Sequence, residues 1–128
     1  MRFLLDTHTF LWWNEASPRL SRRVSGLLSD PGNHLLLSVV SVWEIIVKAQ
    51  IGKLKLPSAP AAYVVSRLEH YGIETLSLRL GHVLAAEELP AHHRDSFDRM
   101  LIAQAQVEGL PIVTHDPNIG KYSVETVW

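Results

Sequence analysis

The short runs Arg2–Leu5, Leu35–Val40 and Pro111–Thr114 are apolar almost from end to end, and two of them stop at a carboxylate, at Asp6 and at His115-Asp116. A strand exposed on one face would alternate polar and apolar residues. An unbroken apolar run reads instead as a strand covered on both faces, the habit of parallel sheets wrapped by helices. Ile73–Leu78 supplies a further strand, and Val124–Trp128 an edge strand.

Helical signals fill the gaps. Thr9–Asn14 fits a short helix, and Ser17-Pro18 offers an N-cap followed by Pro at the first helical position, which predicts a helix to about Leu28. From Ser41 onward Val42, Ile45, Ile46 and Ala49 recur at helical spacing, until Gly52 and Pro57 end the region. Ala59–Tyr71 is followed by Gly72 in the position favoured for a left-handed cap. Leu80–Leu89 stops before Pro90, and Phe97–Glu108 is closed by Gly109. Short strands alternating with helices predict an α/β sandwich around a mostly parallel sheet, built as one domain over residues 1–128.

Composition removes several classes. There is no cysteine, so thiolate zinc sites and a Cys nucleophile are excluded. No run of about 18 apolar residues occurs to span a membrane. The charge at Asp6 comes too early for a secretory leader, so the expected setting is the cytoplasm. The net charge of −1 argues against a protein that coats nucleic acid by bulk attraction. No G-x-S-x-G turn supports a serine nucleophile.

The acids carry the chemistry. Asp6 and Asp116 follow strands, and ligands of parallel sheets bind beyond the carboxyl ends of strands. Glu44 and Asp98 are expected in first helical turns that open on the same edge, with Asp95 just ahead of Asp98. Each acid alone has an ordinary reading: dipole compensation for Glu44 and Asp98, an N-cap for Asp95, a turn before Pro117 for Asp116. Together they predict converging carboxylates, whose mutual repulsion a hard divalent cation relieves. Oxygen ligands suit Mg²⁺ or Mn²⁺, and phosphodiester hydrolysis is the matching reaction class.

At this point the motifs acquire a likeness. Leu4-Leu5-Asp6-Thr7-His8 resembles the first motif of PIN-domain ribonucleases of the VapC toxin type. Ser38 through Ile45, with Glu44 in the acidic position, resembles the second. His93-Arg94-Asp95-Ser96-Phe97-Asp98, continuing to Ile102-Ala103-Gln104-Ala105, resembles the third, and Val113-Thr114-His115-Asp116-Pro117 the fourth. Ser96 departs from the pattern, where close relatives often carry Pro. The resemblance implies a PIN-type α/β/α sandwich in which Asp6, Glu44, Asp98 and Asp116 bind Mg²⁺ or Mn²⁺ and activate water. Asp95 is a secondary acid, and Thr114 is expected to hydrogen-bond a metal ligand or its water. An RNA substrate, a cognate antitoxin and a homodimer are the implied partners, with no membrane. Two rival readings stay open: a non-toxin PIN nuclease in RNA processing, and an inactive PIN-like binding module.

Other residues are expected to be less informative. His92 and His93 read as solvated loop residues, and His8 and His115 as strand-end hydrogen-bonding groups. Arg19, Arg22 and Arg23 are expected on one solvated helical face, and Lys48, Lys53 and Lys55 as a basic surface cluster. Trp12 and Trp13 are neighbours that one helix cannot bury equally, so one of them is a candidate partner surface.

Overall fold

The computed structural model describes residues 1–128. Its strands are β1 (Arg2–Leu5), β2 (His34–Ser38), β3 (Glu74–Leu76), β4 (Ile112–Val113) and β5 (Thr126–Val127). They form one sheet in the order β3-β2-β1-β4-β5, and every pairing is parallel. The helices are α1 (Thr7–Asn14), α2 (Arg22–Ser29), α3 (Val39–Gln50), α4 (Pro60–Tyr71), α5 (Leu80–Glu87) and α6 (Ser96–Glu108).

Strand side chains alternate between two cores, which explains why the strands read as continuous apolar runs. Phe3, Leu5, Leu35, Leu37 and Val113 join Phe10, Val24, Ile45 and Val64 on the face covered by α1–α4. Leu4, Leu36, Leu76 and Ile112 join Leu89, Ile102 and Ala105 on the face covered by α5 and α6. Leu4, Leu5, Leu37 and Ile112 are wholly buried at the centre. Truncating any of them to Ala costs about 2–5 kcal/mol.

Three helix starts differ from the sequence expectation: α1 begins at Thr7, two residues before the expected Thr9, and α2 and α3 shift for a local reason each. Ser17 does not open α2. Its hydroxyl accepts from the Arg19 N–H within a turn, and Ser21 becomes the N-cap by accepting from Val24 N–H at 3.1 Å. Arg19 therefore lies outside the helix, and the expected Arg19–Arg22–Arg23 face does not form. Likewise α3 begins at Val39, because the Ser38 hydroxyl accepts from Val40 N–H and caps it two residues before Ser41. Glu44 is thus in the second turn, and dipole compensation does not explain it. Strand β2 correspondingly ends at Ser38. In α6 the expected bounds hold to within a residue: Asp95 caps one end and Gly109, at φ 65°, closes the other.

The C-terminal ends of β1 and β4 are neighbours in this order. That edge receives the acids.

Candidate active site

Asp6 follows β1 and stands at the N-cap position of α1, yet its side chain makes no capping bond. The carboxylate accepts instead from the Thr114 hydroxyl, Oγ1 to Oδ2 at 2.8 Å. Its other oxygen, Oδ1, is buried with no hydrogen-bond partner. Burial is the main force pushing the Asp6 carboxyl above its ordinary range; the Thr114 bond works in the opposite direction, and the Glu44 charge adds to the rise. Thr114 also receives Asp116 N–H at 3.1 Å, so one hydroxyl ties both strand-end acids together.

Asp98 lies in the first turn of α6, its backbone N–H held by Asp95 Oδ1 at 3.0 Å. Asp98 is 7% exposed. Desolvation first, and then the charges of Asp6, Asp95, Glu44 and Asp116, push its carboxyl up to about 8. An uncompensated buried carboxylate among four others is costly as an anion, and a cation would reverse that cost. Asp95 spends its own oxygen on the helix cap.

Glu44 is the most enclosed acid, 1% exposed. Thr7 donates its hydroxyl to Oε1 at 2.7 Å and lies 2.8 Å from Ser41 Oγ. Lys48, one helical turn on, forms an ion pair with Oε2. Burial alone would lower the Lys48 ammonium, but the bond to Glu44 and its charge hold it above its ordinary range. Lys48 is therefore an acid's partner and not part of a free basic cluster.

His93 departs most from expectation. It is half-buried, with Nε2 2.9 Å from Asp98 Oδ2 and 3.2 Å from Asp116 Oδ2. Asp95 N–H donates to Nδ1 at 3.3 Å, which leaves the ring proton on Nε2, facing the two acids. The loop is anchored from behind by Tyr122. Its hydroxyl accepts from the N–H groups of His92 and His93 and donates to Pro90 O at 2.8 Å. His93 Nε2 and one oxygen each of Asp98 and Asp116 lie within 4.8 Å of one another, so the imidazole N–H bridges the two acids. In sequence this role is nearly silent, since the only hint is a histidine two residues ahead of an acidic N-cap.

The remaining expectations resolve simply. Trp12 and Trp13 are both half-buried, not one in and one out. Trp13 stacks on Tyr71 with centroids 3.7 Å apart, and Trp12 meets Trp128 edge-on at 5.8 Å. His115 is exposed and stacks on Trp128. The largest cavity, about 540 Å³, is lined by Asp30, His34, Leu35 and Glu74, away from the acids and against the N-terminal starts of β2 and β3. A cavity of about 300 Å³ contains Asp6 and Asp116. No helix is long and apolar enough to cross a membrane.

The donors are hard carboxylate oxygens, Asp6 Oδ1 is buried without a partner, and Asp98 is raised by burial and then by the charges around it. These features fit an oxygen-ligated divalent ion.

Comparison with known proteins agrees with the fold. The family model described as "PIN domain" matches residues 3–125. Ribonuclease VapC16 of Mycobacterium tuberculosis is 34% identical over 83 residues, which is 62% of this chain; the match spans only 54% of that relative's length. Among solved structures, VapBC2 from Rickettsia felis bound to a DNA fragment from its promoter superposes with a TM-score of 0.74 at 15% identity, covering 99% of this chain and 98% of that one. DNA-bound VapBC from Salmonella typhimurium gives 0.71 at 18% identity, covering 99% and 97%.

Proposed function

The chain belongs to the PIN-domain family, and from that premise we propose that it is a metal-dependent endoribonuclease, the toxin of a VapBC-like toxin–antitoxin pair. The observation that carries the reading is the pair Asp6 and Asp98. Both are buried and raised by their surroundings, and Asp6 keeps one oxygen without a partner at the edge where β1 and β4 meet.

Asp6, Glu44, Asp98 and Asp116 would hold Mg²⁺ or Mn²⁺. When bound, such an ion acidifies a water and stabilises charge on a phosphoryl oxygen. The chain's own part is orientation. Thr114 fixes Asp6 through Oδ2 and leaves Oδ1 free. Asn118 N–H fixes Asp116 through Oδ1 at 2.9 Å. Thr7 and Lys48 orient Glu44, and each of its oxygens keeps a lone pair for an ion. His93 donates to Asp98 and Asp116 and keeps them side by side. Carboxylates held this way need no reorganisation when the scissile phosphate arrives.

The toxin assignment is supported by likeness to a VapC ribonuclease and to VapBC complexes. It carries with it an antitoxin partner and the cytoplasm as the place of action. A homodimer is the commonest symmetric assembly. Trp43, 60% exposed and edge-on to Phe97 at 5.0 Å, offers an apolar contact for one beside α6.

The test is cleavage of single-stranded RNA with Mn²⁺, with and without chelator. Activity should need the metal and fall by orders of magnitude in Asp98→Asn. Cleavage that survives chelation, or a fully active Asp98→Asn, overturns the reading. Co-purification with the product of the adjacent reading frame tests the toxin assignment.

A further inference from the structure

Four aromatic rings run in series beside the acids. His8 lies 5.9 Å from Trp12, Trp12 lies 5.8 Å from Trp128, and Trp128 lies 5.1 Å from His115, centroid to centroid. The Arg19 guanidinium sits over the Trp12 ring at 5.5 Å. His8, Arg19 and His115 are exposed, whereas the two tryptophans are half-buried and give the row its rigidity. The row is not a separate surface. His8, Trp12, Arg19 and His115 line the same cavity, about 300 Å³, as Asp6 and Asp116.

None of these groups is needed for the carboxylate chemistry described above, and of the four rings only Trp128 packs against the hydrophobic core. A π-rich wall of mutually tilted rings with one guanidinium, opening directly onto carboxylates, has a specific chemical complement. It suits a flat aromatic ligand attached to a phosphate. The ring faces stack a base, Arg19 pairs with the phosphate, and the acids take the next phosphate along. About 300 Å³ is the low end for small-molecule sites, which fits one nucleotide better than a longer segment. A duplex hides its base faces, so only an unpaired strand can use such a wall.

Building on the nuclease reading, we infer that the His8–Trp12–Trp128–His115 row, with Arg19, is a nucleotide subsite that stacks one unpaired base of the substrate next to the scissile phosphate. It selects single strands over duplex. It also fixes where along the strand the acids act, because the stacked base sets the register of the phosphate that follows.

The experiment follows fluorescence anisotropy of a labelled single-stranded RNA, roughly eight nucleotides long, added to the full chain in chelator, where binding is read without cleavage. Arg19→Gln and His115→Ala change exposed side chains and keep the fold; Trp12→Leu probes the buried part of the row. Each should weaken RNA binding roughly five- to hundred-fold. Arg19→Gln should also reduce the slope of log affinity against log salt by about 0.7, the value for one phosphate of a single strand. Mn²⁺ affinity of Arg19→Gln should equal that of the wild type, and the same RNA as a duplex should bind weakly to all. Unchanged RNA binding in Arg19→Gln and His115→Ala, or equal affinity for duplex, overturns the subsite and leaves the wall to a protein ligand. A wild type that binds single strands through the wall but cuts none with Mn²⁺ overturns the nuclease reading instead, so the two failures are distinguishable.

Discussion

His93 Nε2 lies 2.9 Å from Asp98 Oδ2 and reaches Asp116 as well, so a loop residue holds together acids from a helix and a strand end. Groups that hydrogen-bond metal-binding carboxylates typically tune affinity by about 10–100-fold. His93→Ala should weaken Mn²⁺ binding by about that factor, measured by calorimetry, with thermal unfolding in chelator little changed. His93→Gln restores a donor and should recover part of the loss. Affinity that stays level or rises in His93→Ala would show that the imidazole does not orient the acids for an ion.

The Asp98 carboxyl, pushed up to about 8 by burial and then by Asp6, gives a signed pH effect. An unfolded Asp loses its proton near pH 3.9, about four units lower. Between those values the folded state holds more protons than the unfolded one. Stability is then fully present below about pH 4 and is lost as pH rises through about 8. In chelator, wild type should lose stability from about pH 5 to about pH 8, and Asp98→Asn should lose much less. Saturating Mn²⁺ should flatten the wild-type profile, adding about 2.7 kcal/mol at a hundred times its Kd. Identical slopes for the two proteins without metal would refute the assignment.

Thr114 serves two partners with one hydroxyl. Thr114→Val keeps the shape and leaves Asp6 Oδ2 and the Asp116 N–H without it. Losing a partner of a buried polar group costs about 1–3 kcal/mol. Urea unfolding in chelator should show a loss of that size, and RNA cleavage should fall with it. A variant as stable as wild type would mean that the bond contributes little.

Glu44 and Lys48 form a pair with one buried partner and one three-tenths exposed. Lys48→Met should destabilise the protein more than Lys48→Met does when Glu44→Gln is already present. The coupling from this cycle should fall within about 0.5–3 kcal/mol. Additive losses would mean that the pair is energetically idle.

Much of the fold was written locally. Runs such as Leu35–Leu37 are apolar because both sheet faces are covered, and Asp95 and Gly109 mark α6 through their own cap chemistry. The starts of α2 and α3 were not legible. Ser17 competes with Ser21, and Ser38 with Ser41, and each pair offers the same hydroxyl to the backbone. The placement of Asp6, Asp98 and Asp116 at strand ends and a helix start follows from topology, which the alternation of elements conveys, whereas Glu44 sits a turn deeper into α3 than its spacing suggests. His93 and Thr7 could not be found that way. Their partners lie on other elements, and only the assembled packing decides which donor faces which carboxylate.

The bond between Thr114 and Asp6 joins residues 108 positions apart, across neighbouring strands β1 and β4. During synthesis Asp6 is made more than a hundred codons before its hydroxyl partner Thr114 and before Asp116. Pairing β4 with β1 is also a long-range event of the kind that folds slowly. The site is therefore finished only once β4 has joined β1. On the nuclease reading proposed above, the carboxylates cannot act together until that pairing is made, so the order of synthesis itself delays the activity.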